Sequence, residues 1–462
     1  MTAARLPSCI QIALVAVATA GLEGCGGAGL APLQQAPLAS AAAKQQSPIK
    51  HVVLVIQENR TFNDFFATFP GADGTTTGLV SANAGCKIAT NGTIALTEQN
   101  LVIPTDLNHE FDAYSIGRAG GAMSGFDNIR FQNGKLECTY PYQYTNPEQI
   151  QPYWIMAKTY ALAEHMFTTQ GDSSFTAHQD LIAGGTVVSK SPGLALVNLP
   201  SCSNCRWGCD ASPGTVTSLI TENDQWQQYV DKGPFPCLTY ETMATLLDAK
   251  DVSWKYYVPP VDTSFGKLLS AFDAIKAVRY GSDWNDVVTP QTAIFNDISA
   301  GTLPAVSWVI PDQPDSDHPG EPVDDGPSWV ASIVNAIGES SYWSSTAVFI
   351  IWDDWGGLYD NIGPPQLGYG GLGFRVPAIV VSPYAKPHYI STTQYEFGSI
   401  LKYIEKNFGL GSLGTSDVRA ANIIDCFDYS QAPITFTPIP SVRSKSYFVR
   451  RKPSYLPPDT DW

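Results

Sequence analysis

The chain has 462 residues, 44% of them hydrophobic, which is enough for one large domain with insertions or for two domains. Its 27 lysine and arginine residues against 43 aspartate and glutamate residues give a formal net charge of −16 and a pI near 4.7. Such an acidic surface repels nucleic acid and anionic bilayers in bulk, so no nucleic-acid partner is expected, and a phospholipid would be engaged only locally.

Residues 1–24 have the features of a signal peptide. Arg5 precedes an apolar stretch, 10–20, that is too short to span a bilayer but suits a signal-peptide core. The residues before Cys25 resemble a lipoprotein cleavage box, so lipidation of Cys25 with membrane tethering and ordinary cleavage further along both stay open. Residues 25–47 are rich in Ala, Gly, Gln and Pro and predict a flexible linker. The protein is therefore expected to be exported, as a periplasmic, outer-membrane-anchored or secreted protein.

The apolar, β-rich run Val52–Ile56 predicts a strand that is buried on both faces. Glu58 and Asn59 follow at its carboxyl end, which is where open α/β sheets bind ligands. The alternative is that the two side chains only cap or turn the chain after the strand. The first strand thus supplies a first pair of candidate site residues.

The middle of the chain predicts two helical features. Residues 148–165 have a helical pattern. Further along, Asp172, Ser173 and Ser174 precede an apolar run, which suits a helix N-terminus whose backbone N–H groups would face a phosphate. Plain capping by Ser173 or Asp172, without catalysis, explains this local pattern as well.

Seven cysteines follow Cys25, and four of them, Cys202, Cys205, Cys209 and Cys237, cluster in an insertion near 200–237. In an exported protein most cysteines are expected to be paired, so disulfides are preferred here. A four-thiolate zinc site is the alternative. The cluster predicts a stapled loop that roofs the active site.

A second buried strand, predicted at 347–352, ends at Asp353 and Asp354. Together with the pair after the first strand, these residues supply only oxygen ligands, the set that a hard or borderline divalent cation takes. The alternative is that the two aspartates start a Gly-Gly turn. Because acids follow both strands, we expect a metal site, although the sequence does not identify the metal.

The alternation of strands and helices predicts an α/β fold with a central, largely parallel sheet flanked by helices. Further strands are predicted at 305–310 and 376–382, and further helices at 240–249, 328–340 and 396–407. One domain is preferred, because the two candidate site boxes lie roughly 300 residues apart and have to meet in one sheet. The segment 431–462 is rich in proline and predicts an extended C-terminal segment.

Several segments, in the right order over about residues 50 to 410, resemble the bacterial phosphoesterase family of non-haemolytic phospholipases C and acid phosphatases. The segments that carry the resemblance are Glu58-Asn59-Arg60-Thr61-Phe62, Ser316-Asp317-His318-Pro319, Asp353-Asp354-Trp355-Gly356-Gly357-Leu358-Tyr359-Asp360 and Phe374-Arg375-Val376-Pro377. The resemblance implies an alkaline-phosphatase-like fold over residues 48–430, and hydrolysis of a phosphate ester or phospholipid with a divalent metal ion.

The resemblance also implies a serine or threonine nucleophile. Matching by position puts Ser174 in that place, with Ser173 as the alternative, although this chain lacks the P-N-R that follows the nucleophile in phospholipase-type members. A serine hydroxyl needs a base or a metal for activation. A cation held by Glu58, Asn59, Asp353 and Asp354, with Ser174 as a further ligand, would provide it.

Two histidines, His109 and His318, resemble the family's histidines and can bind phosphate or transfer a proton. For His51 and His165 a structural role is expected, and for His388 a surface loop. His178 lies one turn after Ser174 and stays open between a structural and a functional role.

The sequence therefore predicts an exported, metal-dependent phosphoric-ester hydrolase that acts through a phosphoserine intermediate, with His318 or His109 protonating the leaving group. The missing P-N-R, and Trp355 where phospholipases commonly carry histidine, favour an acid phosphatase over a phospholipase C. A non-catalytic, ligand-binding surface lipoprotein is the rival, but it would need no nucleophile beside the acids. The oligomeric state and the physiological ester are not predicted.

Overall fold

The computed structural model describes residues 47–456, apart from 82–84, 89–91, 202–205 and 321. The predicted signal peptide, Cys25 and almost all of the predicted linker lie outside the described residues. In the part that is described, no helix is both long and apolar enough to cross a membrane.

The described strands are β1 His51–Gln57, β2 Thr77–Leu79, β3 Thr93–Ala95, β4 Thr97–Gln99, β5 Gln143–Thr145, β6 Ala161–Ala163, β7 Met166–Phe167, β8 Val187–Lys190, β9 Gly193–Ser201, β10 Val216–Thr221, β11 Trp254–Tyr257, β12 Val287–Val288, β13 Val306–Val309, β14 Thr346–Trp352, β15 Ala378–Val381, β16 Tyr389–Ser391 and β17 Tyr395–Glu396. The α-helices are α1 Phe62–Phe66, α2 Phe111–Arg118, α3 Gln151–Thr159, α4 Ser174–Ala183, α5 Met243–Asp248, α6 Ser264–Leu268, α7 Lys276–Arg279, α8 Ala293–Ala300, α9 Gly326–Gly338, α10 Phe397–Phe408, α11 Ser416–Arg419 and α12 Lys445–Arg450.

The central sheet has eight strands in the order β12-β11-β13-β1-β14-β15-β6-β16. The strands from β12 to β14 are parallel, β15 runs antiparallel to both of its neighbours, and β6 and β16 are parallel. The first apolar run forms β1, in the middle of this sheet. Every residue from Val52 to Ile56 is fully buried, as expected for a strand covered on both faces. The predicted α/β class with a largely parallel sheet is confirmed.

Helices cover both faces of this sheet. On β14, Phe349 contacts Tyr403 of α10 with ring centroids 5.3 Å apart, whereas Trp352 contacts Tyr153 of α3 at 4.9 Å. Residues three apart in a strand point to opposite faces, so α3 and α10 lie on opposite sides. The sheet is therefore the middle layer of a three-layer sandwich, and its carboxyl edge is left for the loops.

Most predicted elements are present, with shifted ends. The strands predicted at 305–310, 347–352 and 376–382 are β13, β14 and β15, and the helices predicted at 240–249, 328–340 and 396–407 are α5, α9 and α10.

The prediction of a helix over 148–165 is wrong after Thr159. Residues Ala161–Ala163 form β6, which pairs with β15 on one side and β16 on the other. Alanine and leucine favour helix locally, so pairing with two neighbouring strands overrides the local preference. His165 consequently follows a strand, and its Nε2 lies 3.4 Å from an Asp73 carboxylate oxygen.

The cysteine-rich insertion is stapled by a disulfide between Cys209 and Cys237, and a second disulfide joins Cys86 to Cys138. Because Cys209 and Cys237 bond to each other, the four-thiolate zinc alternative is wrong and the disulfide prediction is confirmed for this pair. Cys202 and Cys205 lie outside the described residues. Trp207 packs its ring against Phe175 of α4 at 5.5 Å, so the insertion borders the helix that begins at Ser174.

The C-terminal segment is described as far as residue 456. It contains α12, which the sequence analysis did not predict. Phe448 of α12 is buried against Trp329 of α9, with ring centroids 5.4 Å apart. This apolar contact anchors the segment on the sheet's helical layer.

A buried ion pair joins the loop after β14 to the chain that enters β15. Arg375 Nε donates to Asp360 Oδ1 at 2.9 Å and Arg375 Nη2 donates to Asp360 Oδ2 at 3.2 Å, and both side chains are completely buried. Arg375 also donates to the Glu164 carbonyl oxygen at 3.2 Å. One guanidinium therefore holds three segments of chain in place.

We expect Arg375→Met to lower the free energy of unfolding by about 3–5 kcal/mol, because it leaves the Asp360 carboxylate buried without a counter-charge. Arg130→Met, at an exposed position, should change it by less than about 0.5 kcal/mol. Urea denaturation followed by tryptophan fluorescence measures both. Equal stability of the two variants would contradict the assigned role of the ion pair.

Candidate functional site

The site begins where β1 and β14 end side by side. The two strands pair in parallel, residue for residue, from His51 with Thr346 to Gln57 with Trp352. The next residues, Glu58 and Asp353, therefore emerge at the same edge of the sheet, and the Asp353 backbone N–H donates to the Gln57 carbonyl oxygen at 2.9 Å. The register of one strand pair is what brings these two acids together.

A tight turn follows each strand. Asn59 has a φ of 58° and Gly356 a φ of 57°, both in the left-handed region. A Cβ on Gly356 would lie 2.1 Å from the Asn59 carbonyl oxygen, so only glycine allows the two turns to approach this closely. The Gly-Gly pair after the aspartates serves this contact.

Backbone donors orient the two aspartates. Asp353 Oδ1 accepts from the backbone N–H of Asn59 at 3.0 Å and of Asp354 at 2.7 Å, and Asp354 Oδ1 accepts from the Gly356 N–H at 2.8 Å. The second oxygens point elsewhere: Asp353 Oδ2 is buried without a hydrogen-bond partner among the described residues, and Asp354 Oδ2 accepts from Ser174. Each carboxylate thus keeps one oxygen for the site.

Ser174 is the first residue of α4 and Ser173 is its N-cap, as predicted. The Ser174 hydroxyl donates to Asp354 Oδ2 at 3.1 Å. The Ser173 hydroxyl is buried and has no hydrogen-bond partner among the described residues. The loop before the helix is held by Asp172, whose carboxylate accepts from the backbone N–H of Ser173 at 2.8 Å and of Asn198 at 2.7 Å. Of the two serines, only Ser174 contacts an acid of the site.

His178 also faces the acids. Its Nε2 lies 3.1 Å from Glu58 Oε1 and 3.7 Å from Asp353 Oδ2. One ligand atom from each of the three residues lies within 4.8 Å of the others, and all three side chains are buried. The signal for His178 was its spacing of four residues from Ser174, which puts both on one helix face.

His109 and His318 meet at Asn59. The Asn59 Nδ2 lies 3.1 Å from His109 Nε2 and 3.0 Å from His318 Nε2. Each histidine directs Nδ1 to a backbone carbonyl oxygen, that of Leu107 for His109 and that of Pro319 for His318. The contacts orient both rings so that Nε2 faces the site. The Asn59 Oδ1 atom is buried without a hydrogen-bond partner among the described residues, so it is available as a ligand.

The acids carry raised pKa values because they are buried together. Burial raises the pKa of Glu58 to about 8. Burial, and then the charge of Glu58, raises the pKa of Asp353 to about 7, and burial with the charge of Asp353 does the same for Asp354. Burial lowers the pKa of His178, so this imidazole adds no positive charge. The cluster has the charge and the donor atoms that a divalent cation satisfies.

Every residue proposed for the site from the sequence lies in this cluster or touches it: Glu58, Asn59, His109, Ser174, His318, Asp353 and Asp354. His51 instead directs its Nδ1 to the Pro304 carbonyl oxygen at 2.9 Å, as the structural interpretation required. His388 lies at the surface. Trp355 is fully buried and donates its indole N–H to the His109 carbonyl oxygen at 3.1 Å, so it supports the loop that carries His109.

The chain matches the model of the Phosphoesterase family over residues 49–411. It is 24% identical over 453 aligned residues to phospholipase C B of Mycobacterium tuberculosis, with 83% of this chain and 78% of that protein covered. It is also 24% identical over 449 residues to non-specific phospholipase C6 of Arabidopsis thaliana, with 88% and 77% covered. A solved protein of the alkaline phosphatase superfamily from Vibrio parahaemolyticus is similar with a TM-score of 0.36 and 11% identity, over 83% of this chain and 74% of that one.

We expect the chelator-treated protein to lose stability as the pH rises from about 4 to about 8. The pKa values of Glu58, Asp353 and Asp354 are raised to about 8, 7 and 7 in the folded chain, so the folded state holds more protons than the unfolded state in this window. Denaturant unfolding at a series of pH values measures the slope. Asp353→Asn should flatten it, whereas Asp231→Asn, at an exposed position, should not. A free energy of unfolding that rises with pH, by an amount that Asp353→Asn does not change, would contradict the raised pKa values assigned to these acids.

Proposed function

The chain belongs to the Phosphoesterase family, and on that premise we propose that it is a metal-dependent hydrolase of phosphoric esters that acts through a phosphoserine intermediate. The observation that supports this best is the Ser174 hydroxyl, 3.1 Å from an Asp354 oxygen, at the first turn of a helix and beside a buried group of acids. The relatives are named phospholipases C, so a phospholipid or another phosphate ester is the substrate class. A non-catalytic binding protein has no use for a hydroxyl held in this way.

The residues present fit a divalent cation. Glu58, Asp353 and Asp354 offer carboxylate oxygens, Asn59 an amide oxygen and Ser174 a hydroxyl, and Asp353 Oδ2 and Asn59 Oδ1 are buried without partners in the described structure. A bound cation would supply positive charge for the serine oxygen and the phosphoryl oxygens. Burial, first of all, raises the pKa values of the three acids, and a bound cation would oppose that rise by stabilising the ionised carboxylates.

His178 adds a nitrogen donor to this set of oxygens. With its Nε2 3.1 Å from Glu58 Oε1, the imidazole can share a cation with that carboxylate. Imidazole favours zinc, copper, iron and nickel, whereas magnesium, calcium and manganese prefer oxygen ligands. We therefore assign the site to a borderline transition-metal ion.

The residues around Ser174 supply the proton transfers. As Ser174 Oγ bonds to phosphorus and the ester P–O bond breaks, the hydroxyl proton passes to Asp354, which already accepts that hydrogen bond. His109 Nε2, which carries a lone pair while Nδ1–H donates to the Leu107 carbonyl oxygen, lies 3.8 Å from Asp354 Oδ2, takes up this proton and passes it to the departing alkoxide. Water then attacks phosphorus as the bond from Ser174 Oγ to phosphorus breaks, and one proton of the water passes through the same groups to Ser174 Oγ.

His318 has a different role from His109. Burial lowers the pKa of His318 to about 3, so the ring is neutral, and because its Nδ1–H donates to the Pro319 carbonyl oxygen, its Nε2 is a hydrogen-bond acceptor. This Nε2 accepts a hydrogen bond from Asn59 Nδ2 at 3.0 Å. We assign His318 to orienting the Asn59 amide, so that Asn59 Oδ1 would face the cation, and the leaving-group proton to His109.

Export is part of the proposal. The disulfides Cys86–Cys138 and Cys209–Cys237 support an oxidising compartment, in which such bonds form and persist. The apolar stretch near the amino terminus supports the same route. Lipidation of Cys25, with tethering to a membrane, stays a prediction.

Ser174→Ala should lower kcat at least about 10³-fold because it removes the nucleophile, whereas Ser173→Ala should lower it less than about tenfold. Hydrolysis of p-nitrophenyl phosphate and of p-nitrophenyl phosphorylcholine, before and after chelation, measures this and separates a phosphatase from a phospholipase C. Rapid quenching with mass analysis should find phosphate on Ser174 in the native enzyme. A dead Ser173→Ala enzyme beside an active Ser174→Ala enzyme would move the nucleophile by one residue.

His178→Gln should weaken binding of zinc or cobalt at least about tenfold, since it removes the nitrogen donor. Competition with a chromophoric chelator gives the affinity, and the visible absorption of bound cobalt reports the loss of a nitrogen ligand. His388→Gln, at an exposed histidine, is the control and should bind as the native protein does. Unchanged cobalt spectra in His178→Gln would remove His178 from the ligand set and leave the oxygen ligands in place.

A further inference from the structure

We propose that Arg451, in the C-terminal segment, is a positioning residue for His318: it holds the loop Asp312–Asp325, which carries His318, against the turn that follows β1. The inference rests on the proposed function, because that proposal assigns His318 to orienting Asn59 in the site. Arg451 lies beyond residues 49–411, the part of the chain that the family model matches.

The loop Asp312–Asp325 lies directly against the turn that carries Glu58 and Asn59. The Glu58 backbone N–H donates to the Ser316 carbonyl oxygen at 2.8 Å, and Arg60 Nε donates to the Asp317 carbonyl oxygen at 2.7 Å. His318 then reaches Asn59 through its Nε2. Any shift of this loop therefore moves His318 and the turn after β1 together.

Acids crowd the outer side of the same loop. Asp312, Asp315 and Asp325 are all buried, with side chains 2%, 2% and 9% exposed, and one oxygen of Asp312 and one of Asp315 have no hydrogen-bond partner among the described residues. Burial raises the pKa of Asp312 and of Asp315, and the charge of Arg451 opposes that rise. Three buried acids on one short loop repel each other unless a cation lies between them.

Arg451 provides that cation to all three. Its Nη2 lies 3.6 Å from Asp312 and forms a short contact with Asp315, and its Nη1 lies 3.7 Å from Asp325. The guanidinium is itself largely buried, at 19% exposed. A planar fork with several N–H groups can serve three carboxylates at once, which a single ammonium group does less well.

The chain on either side of Arg451 is anchored. Before it, Phe448 packs on Trp329, and Tyr447 donates its hydroxyl proton to Asp325 at 2.9 Å. After it, the Ser454 backbone N–H donates to Asp312 Oδ2 at 2.9 Å. The segment thus crosses the loop as a strap that is fixed at both ends.

The strap supports His318 from a second direction. The Ser264 backbone N–H donates to the Ser454 carbonyl oxygen at 3.3 Å, and the Ser264 hydroxyl donates to the Leu456 carbonyl oxygen. Ser264 begins α6, and the next residue, Phe265, sets its ring edge-on to the His318 ring with centroids 5.9 Å apart. Residues 447–456 therefore contact both the loop that carries His318 and α6, whose Phe265 packs against the His318 ring.

The test compares Arg451→Gln with Arg450→Gln, which changes the exposed arginine next to it in the chain. Hydrogen exchange of peptides that cover residues 312–325, followed by mass spectrometry, should be at least about tenfold faster in Arg451→Gln and unchanged in Arg450→Gln. Exchange needs no substrate, so it judges the contact even if the proposed reaction is wrong. Unchanged exchange in Arg451→Gln would overturn the inference.

Kinetics then separate positioning from general destabilisation. Arg451→Gln should lower kcat/KM by about 10- to 100-fold with unchanged metal content, because the three acids of the site still hold the metal while His318 no longer orients Asn59 correctly. In a His318→Asn background the same change should cost less than about threefold, since the residue through which Arg451 acts is gone. Equal losses in the two backgrounds would show a merely structural role and overturn the proposal.

Arg451→Lys keeps the charge without the fork and is the variant to use if Arg451→Gln does not fold. It should recover part of the lost activity and part of the exchange protection of residues 312–325. If residues 312–325 exchange as fast in Arg451→Lys as in Arg451→Gln, although the lysine keeps the positive charge, the proposal is also contradicted.

Discussion

The parallel, residue-for-residue pairing of β1 with β14 is the constraint on which the rest of the structure depends. It delivers Glu58 and Asp353 to one point at the edge of the sheet, and the turns after the two strands then have to interlock, which requires the left-handed Asn59 and Gly356. Ser174 and His178 approach the same point from a helix on another part of the chain. Buried carboxylates this close together repel each other unless a positive charge lies beside them. The strand register therefore creates a repulsion that the rest of the site has to balance.

Buried acids also lie around the site, and at three places an arginine neutralises them. Arg375 neutralises Asp360 behind the loop that follows β14, Arg60 pairs with Asp64 at 3.2 Å beside the turn after β1, and Arg451 serves the acids of the loop that carries His318. The chain has a net charge of −16, so acids outnumber cations. These three arginines each pair with buried acids and thereby fix the loops of the site. Among the ion pairs of the described residues, the acids beside Ser174 pair with histidine and not with arginine, as the proposed metal site requires.

Much of this arrangement could be predicted from sequence, because it depends on local patterns. Buried strands followed at once by acids predicted Glu58, Asn59, Asp353 and Asp354 together, and the resemblance added Ser174, His109 and His318. What failed depends on distant partners: Ala161–Ala163 became strand β6 because two strands lie beside it, and His178 could be assigned only once Glu58 was seen across from it. The contact of Arg451 with Asp315 could not be predicted from sequence, because the two residues lie in separate segments and neither segment has a pattern that indicates the other as its partner.

The Cys86–Cys138 disulfide encloses His109 within the segment that it closes, whereas Glu58, Ser174, His178 and Asp353 lie outside that segment. The choice of expression host therefore acts on the two halves of the site unequally. Protein made in a reducing cytosol would keep the sheet edge and its acids but would lack the covalent tie around the loop of His109. Under the proposed function, such a preparation would take up metal and still be a poor catalyst, and a metal analysis alone would not reveal the defect.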